Sequence, residues 1–428
     1  ISDDKGYVLA SFAEGHIKTK EFDSRNVEKN AVGSQPILED VDLAISDDKG
    51  YVLASFAEGH IKTKEFDSRK PSICLYSLDK KKYTDIISEG WDATSEYITN
   101  NGLTGESNML YLDREYAVTN RLMIFDFSVS SGCKAVFGAR IGVTNDGNNQ
   151  GVYVTESEFG IINGGKEIFK SSISINSDEK YRVCFLINNI WSYGKTIIRL
   201  IRLKDLSEVA SFAVGETSYN DALPLYDCPM CYCIQGNVKI YDLVVSILNA
   251  SKERKIAIFG DSITEGWWGL DKGWAHLLRQ KIGYQYCQTS GRDTSRVEGV
   301  IKKIKAECTA CVPEYIMVTI GTNGGNTIEN IRNLADYIVS IGAKPIINHV
   351  SCYKNGGQAS VNKKIDEALA GLDYEVKCVQ MDIATAKNYN VAEGYNPLCL
   401  DIDEVHPTEY GHYLMFMQVL KDVPELFN

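Results

Sequence analysis

The sequence lacks a cluster of basic residues and lacks any long apolar run. Its 45 lysine and arginine residues are outnumbered by 57 aspartate and glutamate residues, so the formal net charge is −12. A nucleic-acid-binding protein carries a basic patch or stripe, and we therefore exclude nucleic acid as a partner. A membrane-spanning helix needs about 20 consecutive apolar residues. No such run occurs here, so we predict no membrane span.

The cysteines also lack the pattern of a disulfide framework. The chain has 12 of them, and Cys184, Cys287 and Cys378 fall inside predicted strands. A thiol in such a position serves as a small apolar side chain, which is typical of folding in a reducing compartment. Two Cys-x-x-Cys pairs have zinc-like spacing, but they lie in different predicted domains. We therefore predict no metal and no other cofactor.

A Gly-Asp-Ser tripeptide stands where the apolar run 255–259 ends. An apolar strand that stops at such a turn presents one hydroxyl at the carboxyl end of a sheet, where α/β enzymes keep their catalytic groups. Ser262 is therefore the candidate nucleophile. Because a serine hydroxyl is a weak nucleophile at neutral pH, a base and an orienting carboxylate must also be present.

Both of these groups occur near the C-terminus, in the segment Asp403-Glu404-Val405-His406. Residues three apart share a face in a turn or helical start, so Asp403 can hold one imidazole nitrogen while the other faces Ser262. Two candidate donors to a developing oxyanion lie between nucleophile and base in the sequence. They are the backbone N–H of Gly291, which a ligand can approach closely, and the side-chain amide of Asn323.

The order of these blocks resembles the SGNH (GDSL) hydrolase superfamily over roughly residues 252–428, with the blocks holding Ser262, Gly291, Asn323 and His406. The resemblance implies an esterase, a lipase or a carbohydrate deacetylase that uses no metal. It implies that Ser262 is the nucleophile, His406 the base and Asp403 its orienter. It also implies an oxyanion hole made by the backbone N–H groups of Ser262 and Gly291 and by the Asn323 amide.

Strand-like and helix-like segments alternate around these residues, which predicts an α/β/α three-layer domain over residues 251–428. The predicted strands are 255–259, 284–288, 315–320, 344–349 and 375–380. The predicted helices are 273–282, 294–306, 327–341, 358–370 and 408–421.

Residues 71–250 show period-two runs and turn signals without long helices. The runs lie at 121–129, 151–160, 181–188, 196–203 and 239–248. This pattern predicts an all-β accessory domain, most similar to a concanavalin-type or jelly-roll sandwich. Jelly rolls host unrelated functions, so the domain is either a glycan-binding module or a structural spacer.

Residues 1–25 recur letter for letter as residues 45–69. Such identity indicates either a recent duplication or an artefact of sequence assembly, and the residues do not distinguish the two. Each copy has the alternating run Tyr-Val-Leu-Ala-Ser-Phe, which predicts a β-rich leader over residues 1–70. The string Gly-His-Ile-Lys-Thr-Lys-Glu-Phe-Asp-Ser resembles phage tail-fibre segments, which makes the leader a candidate for homo-oligomer assembly.

Substrate signals cluster near the same predicted sheet edge. Trp267 and Trp268 follow the nucleophile block and are candidate platforms for a sugar ring, or else cap the core. His349 ends a predicted strand and is either a substrate contact or a satisfied structural residue. The absence of a wide apolar lid favours short acyl groups on a polar carrier.

Together these features predict a multidomain serine esterase that removes acetyl or similar short acyl groups from a carbohydrate or another small ester. A secreted, cell-surface or virion-associated location fits that substrate. One alternative is a phage-tail or surface adhesion protein with an ancillary or inactive hydrolase domain. Another is a carbohydrate-binding protein whose catalytic domain has decayed.

Overall fold

The computed structural model describes residues 72–427 with gaps at 79–85, 88–89, 141–148, 189–194, 215–222, 224 and 270–271, together with five short strands within residues 1–70. The chain divides into two compact units, residues 1–70 and residues 71–428. Each unit is described separately below. In the described part of the chain, no helix is both long enough and apolar enough to cross a membrane.

The first unit contains strands in both copies of the repeated segment. The strands are β1 (Ala10–Ala13), β2 (His16–Thr19), β3 (Leu43–Ser46), β4 (Val52–Ala57) and β5 (His60–Thr63). In the first copy β1 pairs with β2, and in the second copy β4 pairs with β5 in the same register. The two copies therefore share this hairpin pairing, and in the second copy β4 also pairs with β3. Homo-oligomer assembly through this unit stays a prediction.

The second unit begins with two antiparallel sheets. Their strands are β6 (Ile73–Ser77), β7 (Ile86–Ile87), β8 (Asp92–Ala93), β9 (Ile98–Thr99), β10 (Leu110–Leu112), β11 (Asn120–Val129), β12 (Lys134–Arg140), β13 (Gln150–Val154), β14 (Glu158–Asn163), β15 (Lys166–Ser172), β16 (Tyr181–Asn188), β17 (Lys195–Arg202), β18 (Glu208–Val214), β19 (Cys228–Gln235) and β20 (Val238–Ile247). One sheet has the order β15-β14-β13-β12-β19-β10-β7. The other has the order β18-β17-β16-β11-β20-β9-β8, and β6 also pairs with β20.

Alternating side chains join the two sheets into one core. Along β16 every second residue is buried and the residues between are half-buried, as a strand with one buried face requires. The ring of Phe127 on β11 lies 4.4 Å from that of Phe137 on β12, so aromatic contacts connect the sheets. The region is thus rich in antiparallel strands, in agreement with the all-β prediction. A jelly-roll or concanavalin topology stays a prediction.

The remaining residues form a parallel sheet between helices. The elements are β21 (Ile256–Gly260), α1 (Ser262–Glu265), α2 (Trp274–Ile282), β22 (Cys287–Gly291), α3 (Val297–Cys308), β23 (Tyr315–Thr319), α4 (Ile328–Ser340), β24 (Lys344–Ile347), α5 (Gln358–Leu369), α6 (Met381–Thr385) and α7 (Glu409–Asp422). The strand order is β22-β21-β23-β24, with every pair parallel. All five residues of β21 are buried, because helices cover both faces of the sheet.

Two predicted strands differ from the structure. The strand predicted at 284–288 lies instead at β22, because a turn from Gly283 to Tyr286 uses the first of those residues. The strand predicted at 375–380 is wrong as a regular element. Lys377 forms only an isolated bridge to Ile346, and irregular backbone hydrogen bonds hold the segment beside β24. The first difference, the shift of the strand from 284–288 to β22, moves Gly291 from a predicted loop to the last position of a strand.

Buried polar contacts join the sandwich to the parallel sheet within the second unit. One carboxylate oxygen of Glu307, on α3, accepts backbone N–H groups from Ala117 at 2.6 Å and Val118 at 2.9 Å. The backbone N–H of Thr119 donates to the carbonyl of Thr289, on β22, at 2.8 Å. The sandwich and the parallel sheet with its helices belong to one compact unit. The predicted domain boundary at residue 250 therefore stays a prediction.

We expect Glu307→Ala to lower the free energy of unfolding by about 1–3 kcal/mol, because two buried N–H groups lose their acceptor. Urea denaturation followed by circular dichroism measures the change. The matched control is Glu314→Ala, which removes a carboxylate whose side chain is 41 % exposed. An exposed ion pair contributes less than about 1 kcal/mol. Equal effects of the two substitutions would contradict the assigned role of Glu307.

Candidate active site

Ser262 is the first residue of α1, and only Asp261 separates it from the end of strand β21. The carboxylate of Asp261 caps the helix by accepting the backbone N–H of Ile263 at 3.1 Å. Gly266 ends this single turn in the left-handed region, with φ of 98°. The side chain of Ser262 is therefore held at the carboxyl end of the sheet, and only 3 % of the residue is exposed.

Asp261 keeps its carboxyl group in an almost fully buried place beside the nucleophile. Burial raises its pKa to about 6, although the Ile263 N–H and the Thr322 hydroxyl favour the charged form and oppose the rise. Its role in the geometry is to fix the first turn of α1.

The structure brings Ser262, His406 and Asp403 together. Ser262 Oγ lies 2.6 Å from Nε2 of His406. The other ring nitrogen of His406, Nδ1, lies 2.7 Å from Oδ2 of Asp403. A hydroxyl, an imidazole and a carboxylate in this sequence of contacts can transfer a proton from the hydroxyl to the ring while the carboxylate orients the ring.

The loop that carries the base is held by its own backbone and by Asp403. Oδ1 of Asp403 accepts the backbone N–H groups of Val405 at 3.1 Å and His406 at 2.9 Å. Glu404, between Asp403 and Val405, has a left-handed φ of 66° and forms an ion pair with Lys354. This tight turn explains why a separation of three residues places the carboxylate beside the imidazole.

Hydrogen bonding also fixes the charge of Asp403. Burial alone would raise its pKa, but the N–H groups of His406 and Val405 and the Trp268 indole hold the pKa of Asp403 below its usual range. The carboxyl group is therefore ionised at neutral pH and can stabilise a protonated His406.

The two tryptophans contact the base and its carboxylate. The Trp267 ring stacks on the His406 ring, with centroids 5.1 Å apart and an angle of 24° between planes. Nε1 of Trp268 donates to Oδ2 of Asp403 at 2.7 Å. Both indoles are half-buried. These contacts orient the Asp403–His406 pair, and a role of either indole as a platform for a sugar ring stays a prediction.

His412, on α7, is a site residue that sequence reasoning missed. Its Nε2 donates to the carbonyl of Trp267 at 2.8 Å, and its Nδ1 accepts the N–H of Trp274 at 3.3 Å. Burial lowers the pKa of His412 to about 4, so the ring is neutral and holds Trp267 over His406. No sequence signal marks it, because its partners are backbone groups.

Gly291 ends β22 and lies opposite Gly260 of β21. A Cβ placed on Gly291 would lie 2.1 Å from the backbone nitrogen of Glu265. Strand β22 therefore approaches the nucleophile helix as closely as two backbones can. The close approach puts the Gly291 backbone at the edge of the site.

Asn323 lies in the loop after β23 and is half-buried. Its side-chain nitrogen donates to the carbonyl of Ser295 at 3.3 Å, and its backbone carbonyl accepts Nε of Arg296 at 3.1 Å. An amide nitrogen carries two hydrogens. One hydrogen orients the Asn323 side chain, and the other can be donated to a substrate oxygen.

His349 is buried among protein carboxylates. Its Nδ1 lies 3.1 Å from Asp382 and its Nε2 lies 2.9 Å from Asp366. Burial alone would lower its pKa, but the hydrogen bond with Asp382 and the neighbouring Cys378 raise the pKa to about 11. Both ring nitrogens are engaged, so His349 has none left for a substrate and is a structural residue.

We expect Gly291→Ala to destabilise the protein by about 1–3 kcal/mol, because its Cβ must displace the backbone of Glu265. The control is Gly299→Ala within α3, where a Cβ meets only the end of the Lys303 side chain at 3.8 Å. Replacing a glycine inside a helix by alanine raises the free energy of unfolding by roughly 0.5–1 kcal/mol. Urea denaturation separates the two results, and a neutral Gly291→Ala would contradict the close approach.

Comparisons with known proteins concern the part of the chain that carries these residues. Residues 256–419 match the family model described as GDSL-like Lipase/Acylhydrolase. No curated protein matches the sequence.

Among solved structures, the chain is similar to a lipase/acylhydrolase from Enterococcus faecalis, at 20% identity over 40% of this chain and 96% of that one, with a TM-score of 0.33. It is similar to a GDSL-like lipase from Bacteroides thetaiotaomicron at 17% identity over 41% and 89%, with a TM-score of 0.33. It is also similar to a mutant acetyl-xylooligosaccharide esterase from Geobacillus at 15% identity over 40% and 94%, with a TM-score of 0.33. On the family match, the C-terminal part of the chain is a GDSL (SGNH) hydrolase domain, and the protein is an ester hydrolase of this type.

Proposed function

We propose that the protein is a serine esterase that removes acetyl or similar short acyl groups from a carbohydrate. The observation that carries the proposal is the 2.6 Å contact between Ser262 Oγ and His406 Nε2, in a histidine whose other nitrogen contacts Asp403. The match of the surrounding residues to an acylhydrolase family supports ester hydrolysis as the reaction.

In the proposed first step, Ser262 Oγ attacks the ester carbonyl carbon while its proton passes to Nε2 of His406. The carbonyl oxygen becomes an oxyanion, which accepts hydrogen bonds from the backbone N–H groups of Ser262 and Gly291 and from the Asn323 amide. Asp403 stabilises the imidazolium that forms. His406 then gives the proton to the alcohol oxygen of the leaving group, and an acyl-serine remains.

In the second step, water attacks the acyl-serine. His406 takes a proton from the water, and a second oxyanion forms in the same set of donors. Its collapse expels Ser262 Oγ, which regains a proton from His406. The products are a short carboxylic acid and the deacylated carrier.

The preference for short acyl groups is supported by what surrounds the nucleophile. Ser262 is almost fully buried, and the aromatic rings of the site, Trp267 and Trp268, are engaged with His406 and Asp403. Among the residues that the structure describes, the most exposed large apolar side chain is that of Ile402, next to Asp403 in the sequence, with 87 % of the residue exposed. A single exposed side chain can contact a small group or a sugar ring but cannot enclose a long chain.

We expect Ser262→Ala to lower kcat for 4-nitrophenyl acetate and for acetylated xylo-oligosaccharides by about 10⁴-fold or more, because the attacking oxygen is lost. Absorbance of released 4-nitrophenolate measures the rate, and circular dichroism checks the fold. The control is Ser340→Ala, at an exposed serine that ends α4, which should leave kcat unchanged. A folded wild-type protein without hydrolysis would favour the adhesion alternative with an inactive domain.

We expect kcat/KM to fall in the order acetate, butyrate, octanoate for the 4-nitrophenyl esters. A longer acyl chain gains about 0.8 kcal/mol per methylene only where it buries that methylene against apolar surface. Initial rates at several ester concentrations give kcat/KM for each chain length. A higher value for octanoate than for acetate would reassign the enzyme as a lipase.

A further inference from the structure

Side chains from the β-sandwich reach the nucleophile helix. The hydroxyl of Tyr226, in the segment before β19, donates a hydrogen bond to Oε1 of Glu265. Glu265 is the last residue of α1, one turn after Ser262. The other carboxylate oxygen, Oε2, accepts the backbone N–H of Asp293 at 2.9 Å and the Trp267 indole N–H at 3.4 Å.

Glu265 therefore connects three parts of the site. Asp293 is two residues beyond Gly291, so its hydrogen bond holds the chain that leaves the proposed oxyanion donor. Trp267 stacks on His406, so its hydrogen bond holds the ring that packs against the base. Tyr226 fixes the carboxylate from the sandwich side.

Asp227, the next residue, holds the chain beyond Gly291 through a second contact. Its Oδ2 lies 3.1 Å from Nη2 of Arg292, and both side chains are largely buried. Its Oδ1 lies 3.8 Å from Nζ of Lys303. The backbone N–H of Arg292 donates to the carbonyl of Gly260 at 3.1 Å. Arg292 is thus fixed by the sandwich and by the strand before the nucleophile.

The segment that presents these two residues has an unfavourable backbone. Leu225 and Asp227 have left-handed φ angles of 49° and 70°. The fully buried Arg121 donates to the Leu225 carbonyl at 2.8 Å, and Asp227 forms an antiparallel bridge with Tyr116. Such conformations persist only where the surroundings hold them, and they cluster at functional sites.

The electrostatics of Glu265 agree with this arrangement. Burial raises its pKa to about 7, and the Tyr226 hydroxyl and the Asp293 N–H oppose the rise. Among neighbouring charges, Asp293 raises the pKa and Arg292 lowers it. Loss of the Tyr226 hydroxyl would therefore favour a neutral Glu265, which is a weaker acceptor for Asp293 and Trp267.

We propose that Tyr226 and Asp227 are positioning residues of the esterase site, acting through Glu265 and Arg292, and that the sandwich is a working part of that site. The proposal rests on the proposed function. Oxyanion donors must be held near their final geometry before the reaction begins, and residues behind them supply that rigidity. This role differs from both a glycan-binding module and a passive spacer.

Tyr226→Phe tests the proposal, because it removes one hydroxyl and keeps the ring. We expect kcat for 4-nitrophenyl acetate to fall roughly 10-fold to 100-fold, the loss typical of a site displaced by about an ångström, with KM unchanged. The matched control is Tyr232→Phe on β19, which removes a hydroxyl that also donates to a glutamate, Glu106, at 3.2 Å. That variant should keep wild-type kcat.

A double-substitution cycle tests whether Tyr226 acts through Glu265. Glu265→Ala should lower kcat at least as much as Tyr226→Phe. The combined variant should be no slower than Glu265→Ala alone, because the hydroxyl has then lost its acceptor. If the losses in kcat from the substitutions at Tyr226 and Glu265 are additive, the route through Glu265 is overturned. The separate variant Asp227→Asn should lower kcat through Arg292, independently of this cycle.

Two further measurements separate this proposal from the proposed function. The first is the rate at which an alkyl fluorophosphonate labels Ser262, followed by intact-protein mass. The second is hydrogen exchange of segments 262–268 and 291–296. If the wild-type protein resists labelling, the proposed esterase function is refuted. In that case, hydrogen exchange that is faster in Tyr226→Phe but not in Tyr232→Phe would still support the positioning contact.

The expected result is labelling slowed in Tyr226→Phe by the same factor as kcat, with exchange in both segments increased. Tyr232→Phe should match the wild type in both measurements. If the wild-type protein is active and is labelled, and Tyr226→Phe keeps its kcat and labelling rate, the positioning role is overturned, even where exchange increases. Unchanged exchange in a protein that resists labelling would overturn it as well.

Discussion

The close approach between the end of β22 and the single turn of α1 is the constraint on which the site depends. A side chain at Gly291 would displace its neighbours, because its Cβ would lie 2.1 Å from the backbone nitrogen of Glu265. Gly260, opposite it on β21, is equally crowded, since a Cβ there would meet Thr264 Oγ1 at 2.0 Å. Two glycines side by side on parallel strands thus let the nucleophile turn pack against the neighbouring strand. The Ser262 hydroxyl and the Gly291 backbone lie on the same edge as a result.

The base reaches this edge through a chain of contacts in which each group fixes the next. His412 holds the Trp267 carbonyl, the Trp267 ring stacks on His406, and Asp403 binds the far nitrogen of His406. Trp268 and two backbone N–H groups hold Asp403 in turn. His412 is held neutral and Asp403 is held ionised at neutral pH, so the negative charge that faces the His406 ring is that of Asp403. Burial of one group and hydrogen bonding of the other produce that difference.

Much of the hydrolase domain could be predicted from the sequence, because short apolar runs followed by Gly, Asp and Ser mark strand ends locally. The position of Ser262 and the spacing of Asp403 and His406 needed no tertiary information. The strand expected at 375–380 was wrong as a regular element, because the segment pairs with β24 at a single bridge, between Ile346 and Lys377. The local pattern does not show how far a pairing with another strand extends. The roles of Trp267, Trp268 and His412 could not be read in advance, since each is defined by a contact to a residue over a hundred positions away. His349 shows the reverse case, in which a histidine at a strand end lies between two carboxylates.

Several contacts between the sandwich and the parallel sheet are buried and polar, and this decides what they do. The side chains of Glu307, Asp227 and Arg292 are largely buried, so each loses its hydrogen bonds to water. Protein partners replace those bonds only when the sandwich and the parallel sheet adopt one geometry. Such contacts add little net stability over an apolar interface of the same size, but a rotated arrangement would leave a buried charge unpaired. They therefore select one orientation of the sandwich against α3 and the end of β22. A fixed orientation matters at this edge, because the site depends on the close approach of two backbones at Gly291.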